Sequence, residues 1–328
     1  MYLITGGAGF IGSNIAKGLE EAGEKDIVIV DRLGQNDKWK NIAKRELRDI
    51  VPPEDLLYFL ETHQNKIKAI IHMGAISTTT EKNVDKIIEN NFDLSVSLWD
   101  WATENKVRFI YASSAATYGD GSNGFKDFWT PEALSKLSPL NPYGWSKHLF
   151  DRRVARTIKE LDQTPPQWVG LKFFNVYGPN EYHKGDQQSV ALHLTEQIKK
   201  DGKANLFKSY RKDYKHGEQK RDFIWVGDCV DIILWFINNP KKSGIFNVGT
   251  GKARTFNDLA KTVFKILNKK ERINYISMPS NLKKQYQYFT EADISSLRKI
   301  GYKKPFTSLD KGINTYLRRS ITTDDWYI

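Results

Sequence analysis

The sequence predicts an α/β protein built on a doubly wound parallel sheet, with a second, smaller α/β domain. The main observation is that short apolar segments alternate with amphipathic segments through the first half of the chain. Continuous apolar strands that alternate with helices are typical of a parallel sheet that helices cover on both faces. At 328 residues the chain has room for one large domain or two modest ones.

The elements of this sheet follow in order along the chain. Uninterrupted apolar runs predict strands at residues 2–5, 27–31, 69–72, 108–112 and 168–173. Amphipathic periodicity between these runs predicts helices at residues 10–22, 53–63, 84–104 and 143–161.

The later part of the chain is more irregular. Gly178-Pro179 breaks the alternation. Beyond it we expect strands at 222–226 and 245–248 and a helix at 256–267. The predicted main domain comprises residues 1–172 and 222–249, and the smaller domain comprises residues 173–221 and 250–328.

A glycine-rich segment joins the first predicted strand to the first helix. Gly6, Gly9 and Gly12 allow a tight turn and a close approach of the backbone to a pyrophosphate. The pyrophosphate then lies at the positive end of the helix that begins with Phe10 and Ile11. The segment therefore predicts a Rossmann-type dinucleotide site.

The residues after the second strand bear on the choice of cofactor. Asp31 ends that strand about 20 residues after the glycines, where an acid holds an adenosine ribose hydroxyl. Arg32 and Lys38 follow, and cations beside that ribose favour a 2′-phosphate. The pattern favours NADP over NAD, although Arg32 can also be read as an ordinary surface residue of a basic protein.

The segment after the strand at 69–72 is expected to line the same cofactor, because it leaves the carboxyl end of a parallel strand. An alternative interpretation is a helix-capping loop. The residues predicted to line the cofactor here are Met73, Gly74, Ala75, Ile76 and Ser77.

Tyr143 and Lys147 are four residues apart and so share one face of a helix. Asn141-Pro142 predicts the start of that helix. A nearby ammonium is expected to lower the pKa of Tyr143 from its usual value of about 10 toward neutral pH, which would make it a general acid or base. Taken alone, the spacing is common, and two ordinary helix residues would be the simpler interpretation.

Further motifs support a functional role for Tyr143 and Lys147. The glycine segment, residues 111–119, the pair itself and residues 175–179 resemble the extended short-chain dehydrogenase/reductase family in order and spacing over essentially the whole chain. The resemblance implies that Ser114 hydrogen-bonds the reacting oxygen and that Tyr143 exchanges the proton. It also implies that Lys147 binds the nicotinamide ribose and tunes Tyr143.

A narrower resemblance is to the ADP-L-glycero-D-manno-heptose 6-epimerases. It is carried by segments 72–75, 113–119, 175–179, 220–223 and 287–290, and above all by His183-Lys184-Gly185. It implies oxidation of an ADP-heptose at C6″ by NADP, re-reduction on the opposite face, and Lys184 as a second acid/base. It also implies a homo-oligomer, such as a pentamer.

The same resemblance assigns the remaining site residues. The implied cofactor contacts are Lys38, Asp49, Asn90, Val176 and Lys184. The implied substrate contacts are Ser114, Asn175, Asp186, His193, Phe207, Lys208, Ser209, Tyr210, Arg221 and Tyr286. We assign no metal ligands. The sequence departs from the pattern at Arg32, Pro53, Tyr182, Asp186 and in a longer segment 119–140.

Composition narrows the other function classes. The net charge of +11 and a lysine- and arginine-rich segment at 199–221 raise the question of nucleic acid. We favour a solvated face, or an attraction for small molecules that carry phosphate, over nucleic-acid binding, because no nucleic-acid motif accompanies the charge.

No apolar run approaches a membrane span. A single cysteine, Cys229, indicates a reducing compartment, and the first residues predict a strand rather than a signal peptide, so we expect a cytoplasmic protein.

Two alternatives stay open at this point. One is another nucleotide-sugar epimerase or dehydratase of the same family. The other is a binding protein that senses NADP without catalysis, which the presence of Ser114, Tyr143 and Lys147 together disfavours.

Overall fold

The computed structural model describes residues 1–161, 163–283, 286–323 and 325–328. Its strands are β1 (Tyr2–Thr5), β2 (Ile27–Val30), β3 (Asp49–Val51), β4 (Ala69–His72), β5 (Arg108–Ser114), β6 (Trp168–Phe173), β7 (Asn175–Tyr177), β8 (Ala204–Phe207), β9 (Lys220–Arg221), β10 (Phe223–Trp225), β11 (Gly244–Val248), β12 (Arg254–Thr255) and β13 (Ile273–Ile276). Its α-helices are α1 (Phe10–Glu21), α2 (Leu56–His63), α3 (Val84–Ile88), α4 (Leu94–Glu104), α5 (Pro131–Leu134), α6 (Pro142–Leu161), α7 (Val190–Asp201), α8 (Val226–Asn238), α9 (Phe256–Ile266), α10 (Ser280–Lys283), α11 (Ser295–Lys299) and α12 (Leu309–Thr322). None of these described helices has the length and apolar character needed to cross a membrane.

The predicted parallel sheet is confirmed. Seven strands pair in the order β3-β2-β1-β4-β5-β6-β11, all parallel. The order reverses between β1 and β4, where Thr5 pairs with both Val30 and His72. In such sheets ligands bind in the crevice beyond the carboxyl ends of the strands at this reversal, which is where the glycine segment leaves β1.

Two apolar clusters cover the two faces of the sheet. Alternate residues of β1 point to opposite sides, so that Ile4 joins one cluster and Leu3 the other. Helices α1 and α8 pack on the first face, and helices α2, α4 and α6 pack on the second. This double covering explains why the central strands are continuously apolar.

The structure differs from the sequence-based prediction at the edges. The strand β3 was not predicted, because it has only three residues and two of them, Asp49 and Ile50, are exposed. The predicted strand at 222–226 corresponds to β10, and the short strand β9 just before it was not predicted. Of the segment 222–249, β11 joins the main sheet, whereas β10 pairs with β7 in a separate two-stranded sheet. The division into two domains stays a prediction.

A π turn, residues Glu89–Asp93, interrupts the helix predicted at 84–104. The cause is visible at the buried Asn91, whose side chain donates to the Ile76 carbonyl at 3.0 Å and to Ser146 Oγ at 3.0 Å. Its Oδ1 also accepts a hydrogen bond from the Ile76 amide at 2.8 Å. The turn therefore ties the loop after β4 to the helix that carries Tyr143, as π turns near functional sites often do.

A third apolar cluster lies outside the main sheet. It joins α7, α9 and α12 with the short strands β8 and β10, through residues such as Leu192, Val263 and Ile313. Phe223 of β10 belongs to this cluster and also faces the crevice described below.

Candidate active site

A cavity of about 690 Å³ opens at the carboxyl ends of the central strands. Most of the residues predicted from the sequence line it. They are Gly6, Gly9, Phe10, Ile11, Gly12, Asp31, Arg32, Lys38, Met73, Gly74, Ala75, Ile76, Ser77, Asn90, Ser114, Tyr143, Lys147, Asn175, Val176, Lys184 and Asp186.

The glycine segment has the geometry of a phosphate-binding turn. Gly6 has φ +64°, and a Cβ atom there would come within 2.6 Å of the Gly74 amide nitrogen. Gly9 precedes α1 without a side-chain cap, so the amides of the first turn keep their capacity to donate hydrogen bonds. These features fit the pyrophosphate of a dinucleotide.

Asp31 is held from two sides at one end of the cavity. Its Oδ2 accepts a hydrogen bond from the Ala8 amide at 3.0 Å, and its Oδ1 pairs with Lys38 Nζ at 2.5 Å. Lys38 Nζ also donates to the Arg32 carbonyl at 3.0 Å. Arg32 itself pairs with Glu54 at 3.1 Å, and both side chains are largely exposed. A cation thus lies beside the carboxylate that would face an adenosine ribose.

Ser114, Tyr143 and Lys147 meet at the other end. Ser114 ends β5, and its Oγ accepts a hydrogen bond from the Ala116 amide at 3.1 Å. Tyr143 and Lys147 lie in the first turns of α6, which begins at Pro142 as predicted, and Asn141 Oδ1 accepts from the Gly144 amide at 2.8 Å. The Tyr143 hydroxyl hydrogen-bonds the Ser114 side chain. A Cβ atom at Gly144 would lie 2.8 Å from the Ala116 carbonyl, so glycine permits this close approach.

The predicted lowering of the Tyr143 pKa is wrong. Burial raises the pKa of Tyr143, because a phenolate is costly to desolvate, and the hydrogen bond to Ser114 opposes this only in part. Lys147 is itself buried, at 3% exposure. Burial lowers the pKa of Lys147 to about 8, against an opposing attraction from Asp151.

Lys184 approaches the same cavity from a different element. It lies in the short 3-10 segment Tyr182–Gln187, with its Nζ 5.6 Å from the centre of the Phe10 ring. Burial lowers the pKa of Lys184, and the negative charge of Glu181 opposes the shift. Glu181 is buried and fixes the segment, because it accepts hydrogen bonds from Ser189 Oγ at 2.8 Å and Tyr316 Oη at 2.9 Å.

Sequence reasoning assigned no role to His183, although the residue lines the cavity. Its Nδ1 lies 3.0 Å from Asn41 Nδ2, and Asn41 also donates to the Ala8 carbonyl at 2.9 Å. Burial lowers the pKa of His183 to about 4, so the ring is neutral. The signal in the sequence was the segment His183-Lys184-Gly185, which carries the narrower resemblance and contains this histidine. Pro53, one of the positions at which the sequence departs from the resembled pattern, also lines the cavity.

Eight predicted residues lie outside the cavity lining: Asp49, His193, Phe207, Lys208, Ser209, Tyr210, Arg221 and Tyr286. Asp49 is exposed on β3, where its Oδ1 accepts from the Ile50 amide at 2.8 Å, and His193 is half-buried on α7. Their roles stay predictions.

The other six of these residues lie on or beside β8, β9 and the segment around Tyr286. The Ser209 amide donates to His216 Nδ1 at 3.0 Å, and the Tyr210 hydroxyl accepts from the Met278 amide at 3.2 Å. The Lys208 amide donates to the Ile276 carbonyl at 2.9 Å, which continues the pairing of β8 with β13.

Arg221 is the centre of an aromatic cluster that adjoins the cavity. Its guanidinium carbon lies 5.1 Å from the Tyr286 ring centre and 5.6 Å from that of Phe256. Phe207 contacts Tyr286 edge-on, with ring centres 6.4 Å apart. Phe223, which lines the cavity, packs on Phe256 at 5.7 Å. Only the ring of Phe223 therefore separates the cavity from this cluster, which is formed by Phe207, Arg221, Phe256 and Tyr286.

Comparisons with known proteins point to one family. The NAD dependent epimerase/dehydratase family matches residues 2–249. The chain is 48% identical to ADP-L-glycero-D-manno-heptose-6-epimerase of Fusobacterium nucleatum, with 100% of both chains covered. It is 47% identical to the enzyme of the same name from Nitratidesulfovibrio vulgaris, with 99% of both covered.

Solved structures agree. The crystal structure of Helicobacter pylori ADP-L-glycero-D-manno-heptose-6-epimerase superposes with a TM-score of 0.77 at 30% identity, covering 98% of this chain and 96% of that one. UDP-N-acetylglucosamine 4-epimerase from Methanobrevibacter ruminantium shares the fold, with a TM-score of 0.80 at 23% identity and 98% of both chains covered. With the cavity, the glycine segment and full-length relatives in agreement, this chain belongs to the NAD dependent epimerase/dehydratase family.

Proposed function

We propose that this protein is an isomerase that converts ADP-D-glycero-D-manno-heptose to ADP-L-glycero-D-manno-heptose by inverting C6″. The observation that carries the proposal is the cavity itself, which joins a dinucleotide-type glycine turn to Ser114, Tyr143, Lys147 and Lys184. The names of relatives that match over the full chain support the ADP-heptose substrate.

The chemistry of C6″ explains why such a cavity suits the reaction. The hydrogen on this carbon is not acidic, so direct removal as a proton is implausible. A bound nicotinamide dinucleotide supplies reversible hydride transfer, which makes C6″ a ketone and then restores the alcohol. The residues of the chain orient the sugar and move the hydroxyl proton.

The proton groups lie on two elements of the chain. Tyr143, hydrogen-bonded to Ser114, serves the oxygen of one epimer: its phenolate accepts the hydroxyl proton when the alcohol is oxidised, and its phenol donates a proton when the ketone is reduced. Burial favours the phenol form. After the ketone turns in the pocket, the oxygen points away from Tyr143. Lys184, on the segment that contacts Phe10, then serves the oxygen of the other epimer.

A substrate panel tests the proposal. The protein should interconvert the two ADP-heptoses, followed by NMR of the heptose, without net oxidation or reduction of the cofactor. UDP-galactose and dTDP-glucose should not be converted at comparable rates. Conversion of either of these with none of ADP-heptose would favour another nucleotide-sugar epimerase or dehydratase. Cofactor binding with no conversion of any sugar would favour a sensor.

We further propose NADP as the cofactor, because Lys38 and Arg32 lie beside Asp31 at the ribose end of the cavity. Replacing Lys38 with methionine should weaken NADP binding by about 10- to 100-fold, the loss expected for one charge-assisted hydrogen bond. Binding of NAD should weaken much less, because NAD has no 2′-phosphate. Titration calorimetry with both cofactors measures the two dissociation constants.

A control variant removes a nearby lysine that pairs in the same way but lies outside the cavity lining. Lys40→Met deletes the pair with Asp37, and it should leave the ratio of the NADP and NAD dissociation constants unchanged. Equal losses for both cofactors in Lys38→Met would contradict a 2′-phosphate contact.

Arg221 is proposed to bind the diphosphate of the substrate. Its side chain is 8% exposed, it donates to the Lys220 carbonyl at 2.9 Å, and within the described ranges it forms no ion pair with a carboxylate. A buried guanidinium without an anion is costly, so a phosphate partner would be strongly favoured. Burial also lowers the pKa of Arg221.

Arg221→Met should therefore raise KM for the ADP-heptose by about 10- to 100-fold, the effect of one charge-assisted contact. The NADP dissociation constant should stay near that of the unaltered protein, because Arg221 does not line the main cavity. Steady-state kinetics and cofactor titration separate the two effects. A loss of NADP affinity equal to the change in KM would indicate a general disturbance of the fold instead.

A cytoplasmic location and a homo-oligomer complete the proposal. Both are inferred from the sequence, and sedimentation velocity tests the oligomer.

A further inference from the structure

We propose that Asp151, to which the reaction described above assigns no role, is a positioning residue that locks Ser114 to the Tyr143–Lys147 pair and holds Lys147 as an ammonium. The proposal rests on the function assigned to this site. Asp151 follows Lys147 by one turn on α6, so Tyr143, Lys147 and Asp151 lie on one face of the helix.

The carboxylate of Asp151 is fully buried and joins three elements. Its Oδ1 accepts a hydrogen bond from Tyr111 Oη at 3.0 Å. Its Oδ2 accepts from Ser113 Oγ at 2.8 Å and pairs with Lys172 Nζ at 2.6 Å, with both side chains of that pair at 0% exposure. Tyr111 and Ser113 belong to β5 and Lys172 to β6, so the helix is fixed to both strands behind the cavity.

The network continues to Ser114. Lys172 Nζ donates to Thr117 Oγ1 at 2.7 Å, and Thr117 Oγ1 donates to the Ser114 carbonyl at 2.8 Å. The ammonium of Lys172 also lies 5.1 Å from the Tyr118 ring centre. Asp151 therefore connects, through Lys172 and Thr117, the two halves of the site that must stay within hydrogen-bond reach of each other.

The charges around Lys147 give Asp151 its second role. His72 faces Lys147 from β4, and burial together with Lys147 lowers the pKa of His72 to about 3, so it is neutral. Tyr143 faces it from α6 as a neutral phenol. Asp151 is the negative group that opposes the effect of burial on the pKa of Lys147.

A further set of ionisable side chains surrounds Asp151. Lys172 approaches it from β6, and the phenols of Tyr111 and Tyr118 from β5 and the turn that follows. His148 lies beside it on α6, with a pKa that burial lowers to about 4. None of these groups supplies a second negative charge near Lys147.

Stability alone does not explain a buried ion pair at this place. Replacing such a pair with apolar residues of similar volume is often neutral or stabilising. Packing of α6 on β5 and β6 therefore does not require charges, whereas keeping Lys147 protonated in a buried site does. This contrast separates a positioning role from a purely structural one.

The test uses Asp151→Asn and the double variant Asp151→Asn/Lys172→Met, which also removes the Lys172 ammonium that the single variant leaves without its carboxylate partner. Loss of the carboxylate should move the alkaline limb of the pH profile of kcat about one unit lower, because Asp151 lies one helical turn from Lys147 and an opposite charge within about 4–6 Å shifts a pKa by about 1–3 units. The same shift should appear in the pH dependence of the NADP dissociation constant. Urea unfolding should show that the double variant keeps most of its stability.

Asp228→Asn is the matched control. Asp228 is a buried carboxylate on α8 that accepts from the Thr307 amide at 2.8 Å, outside the cavity lining. This variant should lose stability without moving either pH profile. A double variant with the pH profiles of the unaltered protein would overturn the proposal. If the unaltered protein epimerises no sugar, the proposed function fails, while the cofactor titration still decides the role of Asp151.

Discussion

Replacing Tyr143 with phenylalanine is expected to lower kcat for ADP-heptose epimerisation by about 10²- to 10⁴-fold, the usual contribution of a positioned acid or base. The variant removes one hydroxyl and leaves the ring in place. That hydroxyl forms the hydrogen bond to Ser114 and is the group proposed to carry the proton. The NADP dissociation constant should change little, because the glycine segment and Lys147 remain. Steady-state kinetics and cofactor titration measure the two quantities.

Tyr302→Phe is the control for this substitution. Its buried hydroxyl has no hydrogen-bond partner among the described residues, and it lies outside the cavity lining. Its loss should leave kcat unchanged. Turnover by Tyr143→Phe close to that of the unaltered protein would contradict a proton-transfer role for Tyr143.

The pH dependence of this reaction is expected to report Lys147 before Tyr143. Burial raises the pKa of Tyr143 and lowers that of Lys147 to about 8, so Lys147 loses its proton first as pH rises. The folded-state pKa of Lys147 lies below its unfolded value, so the cost of burying its charge is fully present below about pH 8 and is relieved gradually as pH rises from about 8 to the unfolded value of 10.5. Activity that needs the ammonium should therefore fall above about pH 8 while this residue stops destabilising the fold.

The sequence predicted the central sheet well, because β1, β4 and β6 are buried on both faces and so read as uninterrupted apolar runs. It missed β3, whose side chains are half exposed and carry no such run. The π turn was not predicted either, because its cause is the long-range contact of Asn91 with Ser146.

The site shows the same division between local and long-range information. Helical spacing correctly placed Tyr143 and Lys147 one turn apart on the same helix. Spacing alone gives no information about burial, however, and burial decides the direction in which the pKa of Tyr143 is shifted. Asp151 could have been noticed at the next turn of the same helix face. Its partner Lys172 could not, because only the pairing of β5 with β6 brings it there.

Replacing Lys184 with methionine tests whether the site has two proton-transfer groups. The change keeps a side chain of similar length over the Phe10 ring and removes the amine. We expect kcat for epimerisation to fall by about 10²- to 10⁴-fold, as for Tyr143→Phe, since inversion needs both groups in every cycle. Lys126→Met is the matched control, because Lys126 also lies over an aromatic ring, at 5.8 Å from that of Phe128, but outside the cavity lining.

A single-turnover experiment distinguishes two groups from one. Each variant is mixed with each pure epimer, and absorbance of the reduced nicotinamide follows the first oxidation. If Tyr143 and Lys184 serve opposite orientations of C6″, Tyr143→Phe should oxidise only one epimer and Lys184→Met only the other. If Tyr143→Phe oxidises neither epimer while Lys184→Met oxidises both, one group must serve both faces. In that case Lys184, which lies over the Phe10 ring, only orients the sugar, and inversion depends on Tyr143 alone.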